Sequence, residues 1–442
     1  MNTHKFLFTK KTLLNECLTI CLTSFMLFSC GKNTPENADL LYDFHKATTP
    51  AFQHEIHLDS VALYVDYTTG LAMKSRIKFY WEIMKPIFVS KTESYYSIKG
   101  QDISKEAGDV GMLLDGVSNY ENPNLKDALN RIVDSDHESI LITDAELVNP
   151  SEPFMKDAFI KWLLKGHDVF IIAEPYFEGP TKKNIFYFVF SDSKLDGNIA
   201  DYIKRVGKIH HFPKISSFNL STTAFVKGMK GGHSDPNGFV QAMVTRNGDF
   251  ELQEWSTGWE DKIEKYVLNI KDRKGNDLPE SAVLIDGLQL DRMSIGGMRI
   301  TGVQMKVYNI NEEYSDYCNA VNEGQTPEID RNFGEFDHFI IQDMKAFDSN
   351  SVFKLYFDRQ NYDDSILDGK PFNYFKISFY INEIQESLDD IKDFLVFEDR
   401  FKKGYKNVSV FESVKQTLED KDVNDFLANS PIYSIYVKAL AK

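Results

Sequence analysis

A chain of 442 residues is long enough for two or three domains and a large apolar core. Its hydrophobic fraction of 42%, with 34 Phe and 21 Tyr, excludes a disordered or collagen-like polymer. A formal charge of -16 sets the surface against nucleic acid and anionic lipid headgroups, so neither is expected as a partner.

At the N-terminus, Lys5, Lys10 and Lys11 precede an apolar run from Leu18 to Phe28 that closes on Leu27-Phe28-Ser29-Cys30. About a dozen apolar residues behind a positive head read as an export signal, because a bilayer-spanning helix needs about 20. The closing tetrapeptide resembles the lipobox of bacterial lipoproteins, with Phe28 where a small or aliphatic residue is usual. The resemblance implies that residues 1–29 are a lipoprotein signal peptide and that Cys30 is the lipidated first residue of the mature chain. Membrane attachment then depends on the acyl chains and not on a basic patch. Gly31 resembles the pattern of lipoproteins sent to the outer membrane of Gram-negative bacteria. Cys17 and Cys21 leave with the signal, so acylated Cys30 leaves Cys318 without a disulfide partner and Cys318 reads as a small buried hydrophobe. Residues 30–53 are expected to be the anchor and a polar tether containing Pro35 and Pro50.

Residues 54–213 alternate apolar strands with amphipathic helices. The order is LDSVALYVD, the helix LAMKSRIKFYWEIMKPIF interrupted at Pro86, the strand SYYSIKG, and the helix NLKDALNRIV. SILITD, EPFMKDAFIKWLLKG with its glycine stop, HDVFIIAEPY, NIFYFVFSD and NIADYIKRVG complete the series. This alternation predicts a doubly wound α/β domain with a mainly parallel sheet, and the runs VALYV, SILIT and VFIIA suit strands covered on both faces.

From residue 214 the texture changes to short runs separated by Gly, Asn and Asp, with turn signals at Asn247-Gly248 and Asn276-Asp277. This half is expected to be β-rich, as one or two β-sandwiches spanning 214–315 and 316–442. The polar stretch EEYSDYCNAVNEGQTPEIDRNFGE would separate them, and SLDDIKDFLVFEDRF would form a short helix.

The first strand ends in Asp66, and SILITDAE ends in Asp144 and Glu146. Ligands of open α/β sheets sit beyond the carboxyl ends of the strands, so both acids are expected at one crevice. The elements Asp66-Tyr67-Thr68-Thr69-Gly70, ENPNLKDALNRI and Thr143-Asp144-Ala145-Glu146 resemble the D-x-S-x-S, G-G-T-N-x-x-x-A-L and T-D-G segments of von Willebrand factor A domains. The resemblance covers about a third of the chain and implies a metal-ion-dependent adhesion site, with Asp66, Thr68 and Asp144 holding Mg2+ or Mn2+ and an open position for a partner's carboxylate. Two hydroxyl ligands are missing, at Gly70 and Pro123, so water or Glu146 would complete the roughly six oxygens such a cation takes. The competing expectation is a domain that kept the fold and lost the metal, with both acids hydrogen-bonded to nearby backbone N–H groups.

The function expected is binding of an unidentified protein partner at the bacterial envelope, through loops around this face that include 146–156 and 176–184. A metal-dependent hydrolase of phosphate or glycan substrates using Asp66 and Asp144 is the alternative. Against one version of it, Thr68 stands where the D-x-D-x-T signature of haloacid-dehalogenase-like phosphatases needs its second Asp. A structural envelope protein without a ligand is the third reading. His54, His57, His210 and His211 lack the i, i+4 spacing of a zinc helix, GGHSDPNG lacks the ending of a phosphate loop, and no G-x-S-x-G elbow occurs. Trp255 and Trp259 read as core packing.

Overall fold

The computed structural model describes residues 38–67, 77–115, 120–147, 149–178, 181–195, 197–207, 212, 215–222, 243–244, 246–247, 250–254, 264–269, 281–288, 294–295, 298–329, 333–335, 339–342, 353–358, 372–386, 388–398 and 406–440. Residues 1–29, Cys30, Thr68, Gly70, His210, His211, the 231–238 glycine segment, Trp255, Trp259 and Asn276-Asp277 lie outside them. Among the described residues, no helix is long and apolar enough to cross a membrane.

The first half is an α/β unit around a seven-stranded sheet, built from β1 (His57–Asp66), β2 (Thr92–Lys99), β3 (Asp102–Glu106), β4 (His137–Thr143), β5 (Asp168–Glu178), β6 (Thr181–Ser191) and β7 (Ser216–Leu220). Its strand order is β3-β2-β1-β4-β6-β5-β7. Only β1 runs parallel to its neighbours, β2 and β4; every other pairing is antiparallel. The sheet is therefore mixed rather than mainly parallel. The reason is the spacing between β5 and β6, which pair up to Glu178 and Thr181. A parallel crossover takes a dozen or more residues, so two strands this close in sequence must fold back as a hairpin.

Helix α1 (Ala38–Thr48) precedes this sheet, and residues Pro50–Phe52 form one 3-10 turn. Within the α/β unit come a π-helical turn (Tyr80–Met84) running into α2 (Lys85–Lys91), then α3 (Val110–Asp115), α4 (Leu125–Val133), α5 (Lys156–Leu164) and α6 (Ile199–Gly207). Pro86, predicted to interrupt the helix after the first strand, sits at the start of α2 just after the widened turn. That turn lets the Lys85 N–H bond the Tyr80 carbonyl, in a stretch where proline supplies no N–H of its own. Asn124 caps α4 by accepting from the Asp127 N–H at 3.2 Å, and Gly166 at φ +80° stops the helix before β5.

The second half contributes β8 (Met243–Val244), β9 (Arg246–Asn247), β10 (Phe250–Glu254), β11 (Glu264–Asn269), β12 (Ser281–Leu288), β13 (Ser294–Ile295) and β14 (Met298–Asn309). It continues with α7 (Asn311–Asn322), β15 (Phe339–Gln342), β16 (Phe353–Asp358), β17 (Phe372–Glu386), α8 (Asp389–Leu395), β18 (Phe397–Glu398) and β19 (Lys406–Asn407), and ends with α9 (Ser409–Leu418), α10 (Lys421–Asn429) and β20 (Tyr433–Leu440). It is β-rich as expected. A second seven-stranded sheet has the order β13-β14-β17-β20-β11-β10-β9, and β15-β16-β12-β8 form a smaller antiparallel sheet. The hairpin signalled by Asn247-Gly248 forms between β9 and β10, and α8 falls in the short helix predicted there.

Three sequence boundaries need correction. β7 lies beyond residue 213 yet completes the first sheet by pairing with β5. The division at 315 is crossed by the long β14–β17 ladder, so the second sheet unites what read as two separate units. The polar stretch meant to part them is α7, whose Tyr314, Tyr317 and Cys318 are buried at i, i+3 and i+4; tyrosines carried the apolar stripe there. Residues 38–52 are also not tether: Leu41 and Phe44 of α1 are buried against α7 and the second sheet.

Five layers result. The π-turn with α2, α3 and α6 covers one face of the first sheet. Its other face packs on α4 and α5, which share a core with α9, α10 and the second sheet through Phe188, Phe190, Trp162, Val414, Phe375 and Phe379. α1 and α7 close the far side.

Candidate functional site

Because β1 lies between β2 and β4 and runs parallel to both, the chain leaves β1 to one side for β2 and returns to the other for β4. That is a topological switch point, where the strand ends splay and open a rim. The β1–β4 register pairs Val65 with Ile142, which sets Asp66 beside Thr143 at that rim. The Thr143 hydroxyl donates to Asp66 Oδ2 at 2.7 Å, and its oxygen accepts the Ala145 N–H at 3.0 Å. Asp144 Oδ1 in turn accepts the Glu146 N–H at 3.1 Å. The Thr143 bond places Asp66 at the end of β4, and Asp144 is the next residue along the chain.

Both are buried, Asp66 at 0% and Asp144 at 1% exposure, and each commits an oxygen to a protein donor. Ala145 holds φ +55°, a left-handed conformation costing about 1–2 kcal/mol for a residue with a Cβ. Its carbonyl accepts from Asn407 Nδ2 at 3.1 Å, so the turn is clamped by a residue far along the chain. Glu146, a substitute ligand in the sequence reading, instead forms an ion pair with Lys183 at 2.5 Å. Pro123 is buried just ahead of α4. Among the described residues, no three His, Cys, Asp or Glu side chains gather closely enough to hold a metal ion. Asp66 and Asp144 each have one oxygen committed within the protein, whereas a cation of this kind takes about six oxygens.

The rim is framed unequally. Since Thr143 pairs with Phe186, the β5–β6 hairpin runs on past the rim, and Phe177 near its tip is 65% exposed. On the other side the Tyr120 N–H donates to the Tyr67 carbonyl at 3.2 Å, and Tyr120 is 41% exposed. The 146–156 loop is less available than expected. Its Pro150 carbonyl accepts the Val408 N–H at 2.9 Å, and its Met155 N–H donates to Ser413 Oγ at 3.2 Å.

Sequence reasoning missed Glu174, a lone acid inside the apolar run VFIIAEPY. It lies one residue beyond the rim level, accepting the Phe79 N–H at 2.9 Å, the Tyr80 N–H at 3.4 Å and the Tyr187 hydroxyl at 2.8 Å. Burial pushes its carboxyl up to about 7 against the pull of these three donors. Glu174 therefore fixes the start of the helical segment that runs through the π-helical turn into α2. His57 and His137 meet across β1 and β4 with ring centroids 5.3 Å apart, and Ser60 Oγ lies 2.5 Å from His137 Nδ1. This pair sits at the opposite end of the strands from Asp66, with no third ligating side chain among the described residues. Cys318 is buried and its thiol is raised to about 11 by that burial, which suits a hydrophobe rather than a nucleophile.

No family model, curated protein or solved structure matches the chain.

Proposed function

We propose that the chain is a lipid-anchored binding protein of the bacterial envelope, attached through Cys30, whose von Willebrand A-like α/β half offers the β1–β4 rim to a protein partner. The observation that carries this reading is the pairing of Asp66 with Thr143 at a topological switch point, flanked by the exposed side chains of Phe177 and Tyr120. Exposed aromatics beside a preorganised edge are the residue types that dominate interface energetics. The left-handed Ala145 supports the family resemblance, because it keeps a glycine-type turn where the T-D-G segment has its Gly.

In this reading the two acids are scaffold. They hold the turn after β4 in place, and the partner meets Phe177, Tyr120 and the Glu146–Lys183 pair above them. Mg2+ or Mn2+ at Asp66, Thr68 and Asp144 would add charge and a partner-carboxylate position. The version of the hydrolase alternative in which Asp66 is the nucleophile is disfavoured by the burial of Asp66, since a nucleophile must reach its substrate.

The test places a photo-crosslinker at position 177 of the full chain in its own cells. A discrete cross-linked species that is lost with Tyr120→Ala supports the proposal; no adduct at 177 or at 120 leaves the structural reading in its place. Calorimetry with Mg2+ and Mn2+, beside Asp66→Ala, separates a metal-assisted rim from a metal-free one.

A further inference from the structure

Residues 38–53 bridge both halves of the molecule. α1 lies on the second sheet and α7, with the Phe44 ring 5.3 Å from Tyr314 and 5.4 Å from Tyr317. The 3-10 turn behind it reaches the first sheet. There Gly166 approaches Ala51 so closely that a Cβ at 166 would stand 2.4 Å from the Ala51 carbonyl oxygen, and Lys194 Nζ lies 5.8 Å over the Phe52 ring. Gln53 ties the two parts together, with Nε2 donating to the carbonyls of Lys46, Ala47 and Thr49.

The contact between α1 and the second sheet is built on bases. Lys376 of β17 is 2% exposed, and among the described residues its ammonium reaches the Thr48 hydroxyl at 3.3 Å and the Phe333 ring at 5.5 Å. His45 Nδ1 lies 2.9 Å from the Tyr436 hydroxyl and 3.5 Å from Thr49 Oγ1. Among the described residues, the other charged or titratable groups on elements packed here, Tyr436 apart, make no bond to either base, and the α7 acids Glu312, Glu313 and Asp316 are exposed or half-exposed. β20 brings Tyr436 and Lys438, α7 brings Tyr314, Tyr317 and Cys318, and β14 brings Tyr308 and Lys306. The acids Asp43 and Glu335 are paired with Lys46 at 2.7 Å and Lys306 at 2.9 Å. Among the described residues no carboxylate bonds Lys376 or His45.

We propose that residues 38–53 are an acid-released strap, docked across both sheets while His45 and Lys376 are uncharged and lifted when protons reach them. Burying an unpaired charge is costly, so the docked strap resists protonation of either base and protonation drives it off. Burial pulls Lys376 down from 10.5 to about 7, and burial together with the Lys376 charge holds His45 well below 6.5. Both shifts run the same way: a depressed base gives docking that is complete above its free-chain pKa and lost as pH falls. Lys376 therefore weakens the strap from about pH 10.5 down to about 7, and His45 continues below 6.5.

Hydrogen exchange of the full chain, corrected for the intrinsic pH dependence of exchange, reads the strap directly. Protection of residues 38–53 is expected to fall at least about tenfold between about pH 8.5 and about pH 5.5, while β4 keeps its protection. Lys376→Met should flatten the change above about pH 7, and His45→Gln the change below about 6.5. Equal protection of 38–53 at both pH values in the unaltered chain overturns the proposal. So does an undiminished pH response in the double variant; should that variant not fold, the unaltered chain alone decides.

Discussion

Two buried acids of the first sheet and a buried base of the second are held differently. In the first, Glu138 accepts the Ile199 N–H at 2.8 Å and the Ser191 hydroxyl at 2.5 Å, while Glu174 accepts two N–H groups and a tyrosine hydroxyl. Each acid sits at a helix start, where unpaired N–H groups and the helix dipole favour negative charge. In the second, Lys376 meets one hydroxyl and an aromatic ring. Helix N-termini supply ready-made partners for a buried acid, but a sheet face supplies none for a buried base, because its carbonyls already serve the ladder. The first half gives its buried acids several donors and the second gives its buried base one hydroxyl and a ring, yet burial disfavours the charged form of all three.

The signs of the two pH responses follow. Glu138 and Glu174 are raised from 4.5 to about 7 by burial, so the stability they carry is complete below about pH 4.5 and is lost as pH rises through 7. Lys376 is lowered, so its contribution is complete above about pH 10.5 and is lost as pH falls through 7. The largest effect expected is that of Lys376→Met, a gain of up to about 5 kcal/mol in unfolding free energy below pH 7 that vanishes at strongly alkaline pH. Denaturant titrations across the range check it, and a gain independent of pH would break the contrast. Glu174→Gln should act in the opposite sense, gaining on the parent chain by up to about 3 kcal/mol as pH rises from about 4.5 to 7. Equal losses at both ends would mean that its hydrogen bonds balance its desolvation.

Gly166→Ala sharpens the comparison at the point where the strap meets the first half. With φ +80° and the Ala51 backbone in the way, it should cost about 2 kcal/mol and raise hydrogen exchange in 50–52 while sparing α1. Ala145→Gly should have the smallest effect, a gain of about 1 kcal/mol from relieving the left-handed turn, read as a shift in denaturation midpoint. A loss there would mean that the buried methyl group outweighs the backbone strain.

Much of the first half was legible before folding. The runs VALYV, SILIT and VFIIA are strands because continuous apolar segments bounded by polar turns suit a sheet covered on both faces, and their spacing put Asp66 and Asp144 at one edge. The β5–β6 hairpin was legible too, in the short gap between two strands, but the expectation of a parallel sheet overrode it. α9 and α10 were not recognised, as their apolar positions lie among polar residues in a region read as β-rich. Glu174 announced itself only as an acid out of place, and its three donors come from segments 13 to 95 residues away.

Local pattern was enough to determine five strands and most helices of the α/β half and the strand ends on which two acids fall, because side-chain period and turn chemistry act over a few residues. It could not determine which strands pair antiparallel, that both acids are buried, or that residues 38–53 are a strap. Those outcomes rest on contacts such as His45 with Tyr436 and Lys376 with Thr48, across 391 and 328 residues of chain. Such pairs leave no periodicity in the sequence, and only the packing of the two sheets around a shared helical layer decides them.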